Sequence, residues 1–462
     1  MDAPASPAQS SGVTGQIARL AAPLAAVHLG QVAMGLVDTA FVGRVGKEAL
    51  AAVALGNSVF FTLTILGMGL VLGAEPVISQ AVGAGDAGRA RRSLFEAVAM
   101  ALLATLPVLG LLVLALWLLP LAGIDAEVVR LTREYALARG PGLPGFLLFI
   151  ALKGYLQAHG RTRAILISIV VANLVNVPAD LLLIFGDEGL RMVGLSGVGL
   201  PGFGVLGAGI ATSLASWSRC LIVLPGAREL LREAKDAVVD EIGVTAQGLW
   251  RIARIGAPIG LQMALEVAVF SLVSLLMGRL GPGQLAAHQV AISLASVPFN
   301  VTLGIGSATS VVVGKRIGAL DRTGTLRAGL SGIGLGVGVM LVSGTLFVAV
   351  PDLFVRVFTD DVGVLVVAVG LVRVAGAFAL SDGVQAVASG ALRGAGDTAW
   401  PFGIHLVAHW LVGMPAALVF GFALDGGPVG LWWGLTAGLT FAAAALSLRF
   451  FLRARRGYEA IA

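Results

Sequence analysis

Residues 30–43 read GQVAMGLVDTAFVG, one carboxylate, Asp38, in a run of otherwise small and apolar residues. The same anomaly recurs at Glu266 in GLQMALEVAVFSLV (260–273) and at Asp382 in GAFALSDGVQAVASG (376–390). In VANLVNVPADLLL (171–183), Asn173, Asn176 and Asp180 interrupt a fourth such run. Asn176 and Asp180 are four apart and share a helix face, although Pro178 disturbs that turn. Acids in a low-dielectric medium normally face a partner or a cavity. One reading is that each is protonated or paired and ties helices together. The other is a coupled carboxylate cluster that exchanges a proton or Na+ for a cationic solute, as an antiporter requires. Glu75 also counts as a candidate, although it lies nearer the cytoplasmic end of its run, where snorkelling toward water is the alternative.

Other candidates carry less. His405 and His409 in HLVAH have the i, i+4 spacing of a metal pair, with no third ligand evident from sequence. GAGD (394–397) resembles the G-x-G-D of intramembrane aspartyl proteases, but it falls in a short basic loop and no Tyr-Asp partner occurs. Neither H-E-x-x-H nor G-x-x-x-x-G-K-[ST] is present, which excludes zinc proteolysis and an in-chain ATPase of those types. No cofactor is expected. Trp432 and Trp433 read as membrane-interface anchors, with the lining of a pocket as the alternative.

The elements that must hold these residues are membrane helices. The chain is 57% hydrophobic and 12% charged, against about 25% charged in a soluble domain. Its apolar runs approach or exceed the roughly 20 residues needed to cross the hydrocarbon core. The 64 glycines fit close helix packing in lipid. We read an all-α polytopic membrane protein of twelve spans, the fourth at 135–158. The formal charge of +5 comes from short loops rather than one basic face, so nucleic acid is not an expected partner. Loops after even-numbered spans are the basic ones, Arg44 and Lys47 excepted, which places both termini in the cytoplasm. The first sixteen residues lack the features of a signal peptide, and the single Cys220 can form no intrachain disulfide.

The chain is also internally duplicated. An offset of 235 superposes Arg19 on Arg254, Pro23 on Pro258, GRVG (43–46) on GRLG (278–281), and Gly83, Ala84 and Asp86 on Gly318, Ala319 and Asp321. After one residue of slippage, Gly154, Leu156, Gly160 and Thr162 match Gly390, Leu392, Gly396 and Thr398. The expected organisation is a polar tail (1–16), a six-helix bundle (17–226), a cytoplasmic linker with Arg228, Arg232 and Lys235 (227–250), a second six-helix bundle (251–452) and a basic tail (453–462). Parallel repeats of this kind commonly enclose a midplane cavity and work by alternating access. The acids break the symmetry: Gln31 stands opposite Glu266, Val273 opposite Asp38, and Gly145 and Phe146 opposite Ser381 and Asp382.

The stretches GLVDTAFVGRVG (35–46), LAAVALGNS (50–58), GAPIGLQMALEV (256–267), LAAHQVA (285–291) and ASGALRGAGDT (388–398) resemble the multidrug and toxic compound extrusion (MATE) transporters, most closely their NorM-like branch. The resemblance implies two six-helix bundles arranged as a V around a central cavity. It implies that Glu266 and Asp382 form a cation-coupling site and that Asp38, Asn176 and Asp180 form a proton-sensitive or cation site. It further implies drug contacts at Asp38, Ser58, Gln289, Asp360, Asp361 and Asp382, with Phe299 facing the bound cation. Phe378 stands where some relatives have a Tyr near the ion, which leaves Na+ and H+ both open. The expected function is a monomeric bacterial inner-membrane antiporter exporting cationic amphipathic compounds against Na+ or H+. A lipid-linked precursor flippase of related architecture would favour deep basic residues, and an integral-membrane enzyme would need a catalytic motif.

Overall fold

The structure, a computed structural model, describes residues 12–233 and 243–461. Most of the polar tail, Lys235 with the middle of the linker, and Ala462 lie outside the described residues. No strand occurs among the described residues. The first half comprises α1 (Val13–Gly43), α2 (Lys47–Leu72), α3 (Ala74–Gly83), α4 (Ala87–Leu118), α5 (Ala126–Arg139), α6 (Gly142–Ala158), α7 (Thr162–Phe185), α8 (Asp187–Met192) and α9 (Val205–Glu233). The second comprises α10 (Ala246–Leu280), α11 (Pro282–Gly318), α12 (Arg322–Ala349), α13 (Pro351–Val355), α14 (Val362–Gly394), α15 (Ala399–Leu406), α16 (Met414–Leu418) and α17 (Gly427–Arg456). π-helical turns at Val407–Gly413 and Val419–Ala423 flank α16.

Eleven of these helical segments are long and apolar enough to cross a membrane, and α5 with α6 makes a twelfth, bent by 45°. The fourth span therefore differs from the expected 135–158: it starts at Ala126 and breaks at Gly140–Pro141. Pro141 supplies no N–H and a proline ring crowds the preceding turn, so the helix bends there. Polar side chains fix the starts of several helices. Asp125 accepts from the Glu127 and Val128 amides, Asp321 from Gly324 and Asp361 from Val364, each satisfying amides that a helix start leaves unpaired.

The duplication is written into the backbone as well as the side chains. Gly46 and Gly281 have φ of 156° and 131°, Gly85 and Leu320 have 74° and 57°, and Gly160 and Gly396 have 75° and 76°. Leu320 keeps the left-handed conformation although a Cβ makes it costly there.

By contacts the chain forms two compact units, one of Leu29–Ile78 with Ala87–Gly260, the other of residues up to His28, Ser79–Asp86 and Leu261 onward. These limits differ from the two sequence halves, because helices exchange segments where glycine lets backbones meet. In the first unit a Cβ on Gly69 of α2 would lie 2.2 Å from Gly260 Cα of α10; in the second, one on Gly304 of α11 would lie 2.5 Å from the Ala25 nitrogen of α1. Within the second unit α11 and α14 pack closely along their length, and a Cβ on Gly390 would lie 2.4 Å from the Gly306 carbonyl oxygen.

Candidate functional site

That α11–α14 contact places Phe299 and Asp382 on one pocket, completed by Glu266 and Phe270 of α10, Phe378 and Gln385 of α14, His409 of the first π-helical turn and Trp432 of α17. The pocket measures about 180 Å3, below the roughly 300 Å3 at which drug-sized sites begin. In this conformation it suits a cation and its ligands. Glu266 is about one-fifth exposed, and its Oε1 lies 2.8 Å from Nδ1 of the fully buried His405. Gln385 Nε2 donates to the same carboxylate oxygen at 2.9 Å, and Gln262 Nε2 at 3.4 Å. Asp382 is buried within the electrostatic reach of Glu266. Two carboxylates and two imidazoles, beside the buried rings of Phe378 and Trp432, form a constellation able to take up a cation or a shared proton.

The aromatic wall is itself held in place. Trp432 Nε1 donates to His288 Nδ1 at 3.1 Å, so His288 carries its proton on Nε2 and donates it to Ser274 Oγ at 3.1 Å. Trp432 is 1% exposed and packs against Phe378 with ring centroids 5.2 Å apart. The interface-anchor expectation is thus corrected for Trp432, whose indole N–H finds its partner inside the bundle; Trp433, one position on, is exposed.

The first unit holds the other acids. Asp38 of α1 is buried, and its Oδ2 accepts from Thr212 Oγ1 of α9 at 3.3 Å. Asp180 of α7 lies against Asp38 and Asn176, and Asp180 and Asn176 are fully buried. Tyr135 of α5 is in electrostatic reach of both carboxylates. The arrangement depends on the close fit of α7 and α9, where a Cβ on Gly207 would lie 2.2 Å from the Leu183 carbonyl oxygen.

The remaining sequence candidates stand apart from both clusters. Ser58 and Gln289 are exposed, Asp360 is exposed beyond α13, and Asp361 caps α14 through its bond to the Val364 amide. Glu75 does not snorkel: it is 5% exposed and lines a small pocket with Lys153 and Gln157. Two features were missed. Arg219 of α9 is 5% exposed, with its guanidinium carbon 4.0 Å from the Phe149 ring centroid and 5.7 Å from that of Phe146. The sequence signal for it is an Arg inside the apolar ASWSRCLIVL. The third ligand lacking for His405 and His409 is Glu266, 139 positions from His405 and beyond the reach of local spacing.

Comparison with known proteins agrees with this architecture. The MatE family profile matches residues 23–182 and 258–419, one match in each half. The "Probable multidrug resistance protein NorM" of Deinococcus radiodurans is 36% identical over 455 residues, covering 96% of both chains. That of Pseudomonas putida is 36% identical over 454 residues, covering 95% of this chain and 94% of the other. Among solved structures, an outward-facing multidrug resistance MATE family transporter of the MOP superfamily superposes with a TM-score of 0.84 at 21% identity, over 96% of this chain and 97% of that one. The eukaryotic MATE transporter AtDTX14 superposes with a TM-score of 0.83 at 21% identity, over 96% and 98%. The fold and both halves of the sequence lead to one conclusion: the chain belongs to the MatE family of membrane transporters.

Proposed function

We propose that this protein is a multidrug efflux antiporter, a transporter rather than an enzyme, that exports cationic amphipathic compounds in exchange for Na+ or H+ across a bacterial inner membrane, with both termini cytoplasmic. The observation that carries the reading is the pocket in which Glu266 and Asp382 share a buried, aromatic-lined space beside His405. A cation entering there neutralises two carboxylates that are costly to leave charged and unpaired at bilayer depth. Neutralisation weakens the bonds that Gln385 of α14 and His405 make to Glu266 of α10, coupling ion occupancy to helix position. Asp38, Asp180 and Asn176 form a second, separate site whose two carboxylates also require a shared proton or cation. Phe299 offers a π face to the organic cation. A small pocket in this conformation fits a coupling site better than a drug site, so drug release belongs to another state of the cycle.

Purified protein in proteoliposomes, tested for efflux of a cationic dye with an Na+ gradient and a pH gradient imposed separately, tests this reading. Efflux driven by one gradient supports it and identifies the ion. If neither gradient moves any cationic dye, the reading is wrong. A lipid-linked precursor flippase would call for basic residues lining the cavity, and the two clusters above are acidic.

A further inference from the structure

Glu266, His405 and His409 present one ligand atom each, all within 4.8 Å of one another. We infer that these three side chains form a binding site for a first-row divalent transition-metal ion of the Zn2+ class.

Two of the three distances between ligand atoms can be set against those around such an ion, and the third lies within 4.8 Å. Zn–N and Zn–O bonds of about 2.0–2.2 Å in a tetrahedron place neighbouring ligand atoms about 3.3–3.5 Å apart. His405 Nδ1 and His409 Nε2 are 3.4 Å apart, and His405 Nδ1 and Glu266 Oε1 are 2.8 Å apart. Opening the second distance by about half an ångström admits the ion, a movement within the reach of a Glu side chain that retains some exposure. Two imidazoles with one carboxylate are a donor set for Zn2+, Co2+ and Ni2+ rather than for Na+, Mg2+ or Ca2+, which take oxygen ligands.

The surroundings support ligation. Ser389 Oγ lies 3.2 Å from His405 Nε2. When Nδ1 turns to the metal, the ring takes the Nε2–H tautomer and donates that proton to Ser389, the outer hydrogen bond that fixes a metal-binding imidazole. The proton moves from one ring nitrogen to the other, so neither the ring nor the carboxylate changes charge. Gln385 Nε2 donates to Glu266 Oε1 and leaves the carboxylate oriented. His409 lies in the π-helical turn Val407–Gly413, an irregularity frequent at functional sites. The two rings are tilted by 35° with centroids 5.5 Å apart. Asp382 lines the same pocket. A resident divalent ion would occupy the carboxylate assigned above to the coupling cation. The metal site itself stands on geometry and does not require the transport reading.

The test uses tag-free, detergent-solubilised full-length protein, so that no polyhistidine competes. Equilibrium dialysis with Zn2+ is expected to show one saturable site per chain, and His409→Ala to weaken it at least tenfold. Co2+ in place of Zn2+ is expected to give the intense visible absorption of a four-coordinate ion, lost in His405→Ala. Folding of each variant is checked by size exclusion; if neither folds, the Co2+ spectrum of the wild-type chain decides alone. Absence of a saturable Zn2+ site, undiminished affinity in a folded His409→Ala, or the weak absorption of hydrated Co2+ overturns the proposal and leaves a hydrogen-bonded core pair only. Because no transport is measured, failure here leaves the efflux reading standing, and failure of efflux leaves this one standing.

Discussion

With its amide turned to satisfy both ends, Gln31 accepts hydrogen bonds from the two terminal nitrogens of Arg219, at 3.0 and 3.2 Å. Gln31 is the repeat counterpart of Glu266, so the duplicated position meets a nitrogen-bearing side chain in both halves: a guanidinium in one, an imidazole in the other. In the first half the partner is a permanent charge, held by a neutral amide and the faces of Phe149 and Phe146.

Gln31→Met removes that acceptor and leaves Arg219 with aromatic faces alone. We expect a loss of about 1–3 kcal/mol, the cost of stranding a buried charged donor, read as a lower melting temperature in detergent. Gln31→Glu supplies an opposite charge and is expected to melt above Gln31→Met. Equal melting of the two variants would refute the pairing.

Glu266→Gln and Asp382→Asn, singly, are expected to bring gradient-driven dye efflux close to background while the protein remains in the membrane at normal levels. Gln keeps the shape of Glu266 and can still meet His405, so the loss would report charge rather than packing. A double variant that still exports dye at the wild-type rate would remove this pocket from the coupling mechanism.

Gly390→Ala tests the close approach that builds the pocket. The added Cβ would lie 2.4 Å from the Gly306 carbonyl oxygen, and α11 and α14 must separate to admit it. Overpacking of this kind costs about 1–3 kcal/mol or more, so expression and melting temperature both fall. Gly334→Ala, on α12 with nothing within 4 Å of the new Cβ, is the matched control and is expected to be near neutral.

Trp432→Phe keeps the aromatic wall but deletes the donor to His288. His288 is fully buried, and its Nδ1 then lacks a partner, a penalty of about 1–3 kcal/mol. Thermal unfolding checks the stability; unchanged melting would show that the bond contributes nothing.

Outside the spans, Asp187 holds the segment that follows α8. Its carboxylate accepts from the amides of Val198, Gly199 and Leu200 at 2.9, 2.9 and 3.0 Å. The Leu200, Val198 and Gly199 hydrogen bonds hold the Asp187 pKa below its ordinary value. A lowered folded-state pKa means that the contribution is present above the unfolded pKa, about 3.9, and is lost as pH falls through the folded value. Limited proteolysis across residues 193–204 is expected to be slow near neutral pH and faster once the pH falls below the ordinary aspartate range, and Asp187→Asn to be cut faster already at neutral pH. If the Asn variant resists cleavage as the wild type does, the carboxylate is not the latch.

The membrane class, the duplication and the acids set inside apolar runs were legible in the sequence, because hydropathy and repeat register are local or linear properties. Asp38 stood out as a lone carboxylate, and its neighbours Asn176 and Asp180 were legible because a polar residue in a long apolar run needs a reason. Drug contacts assigned by resemblance at Ser58, Gln289, Asp360 and Asp361 remain proposals: none lines the Glu266 pocket, and Asp361 serves as a helix cap. Tertiary structure alone decided the partners. His405 meets Glu266, Arg219 meets Gln31, and Trp432 turns inward to His288 while Trp433 faces out, because helix rotation is set where glycine backbones touch. Such contacts join residues more than a hundred positions apart, and no period of 3.6 or 235 encodes them.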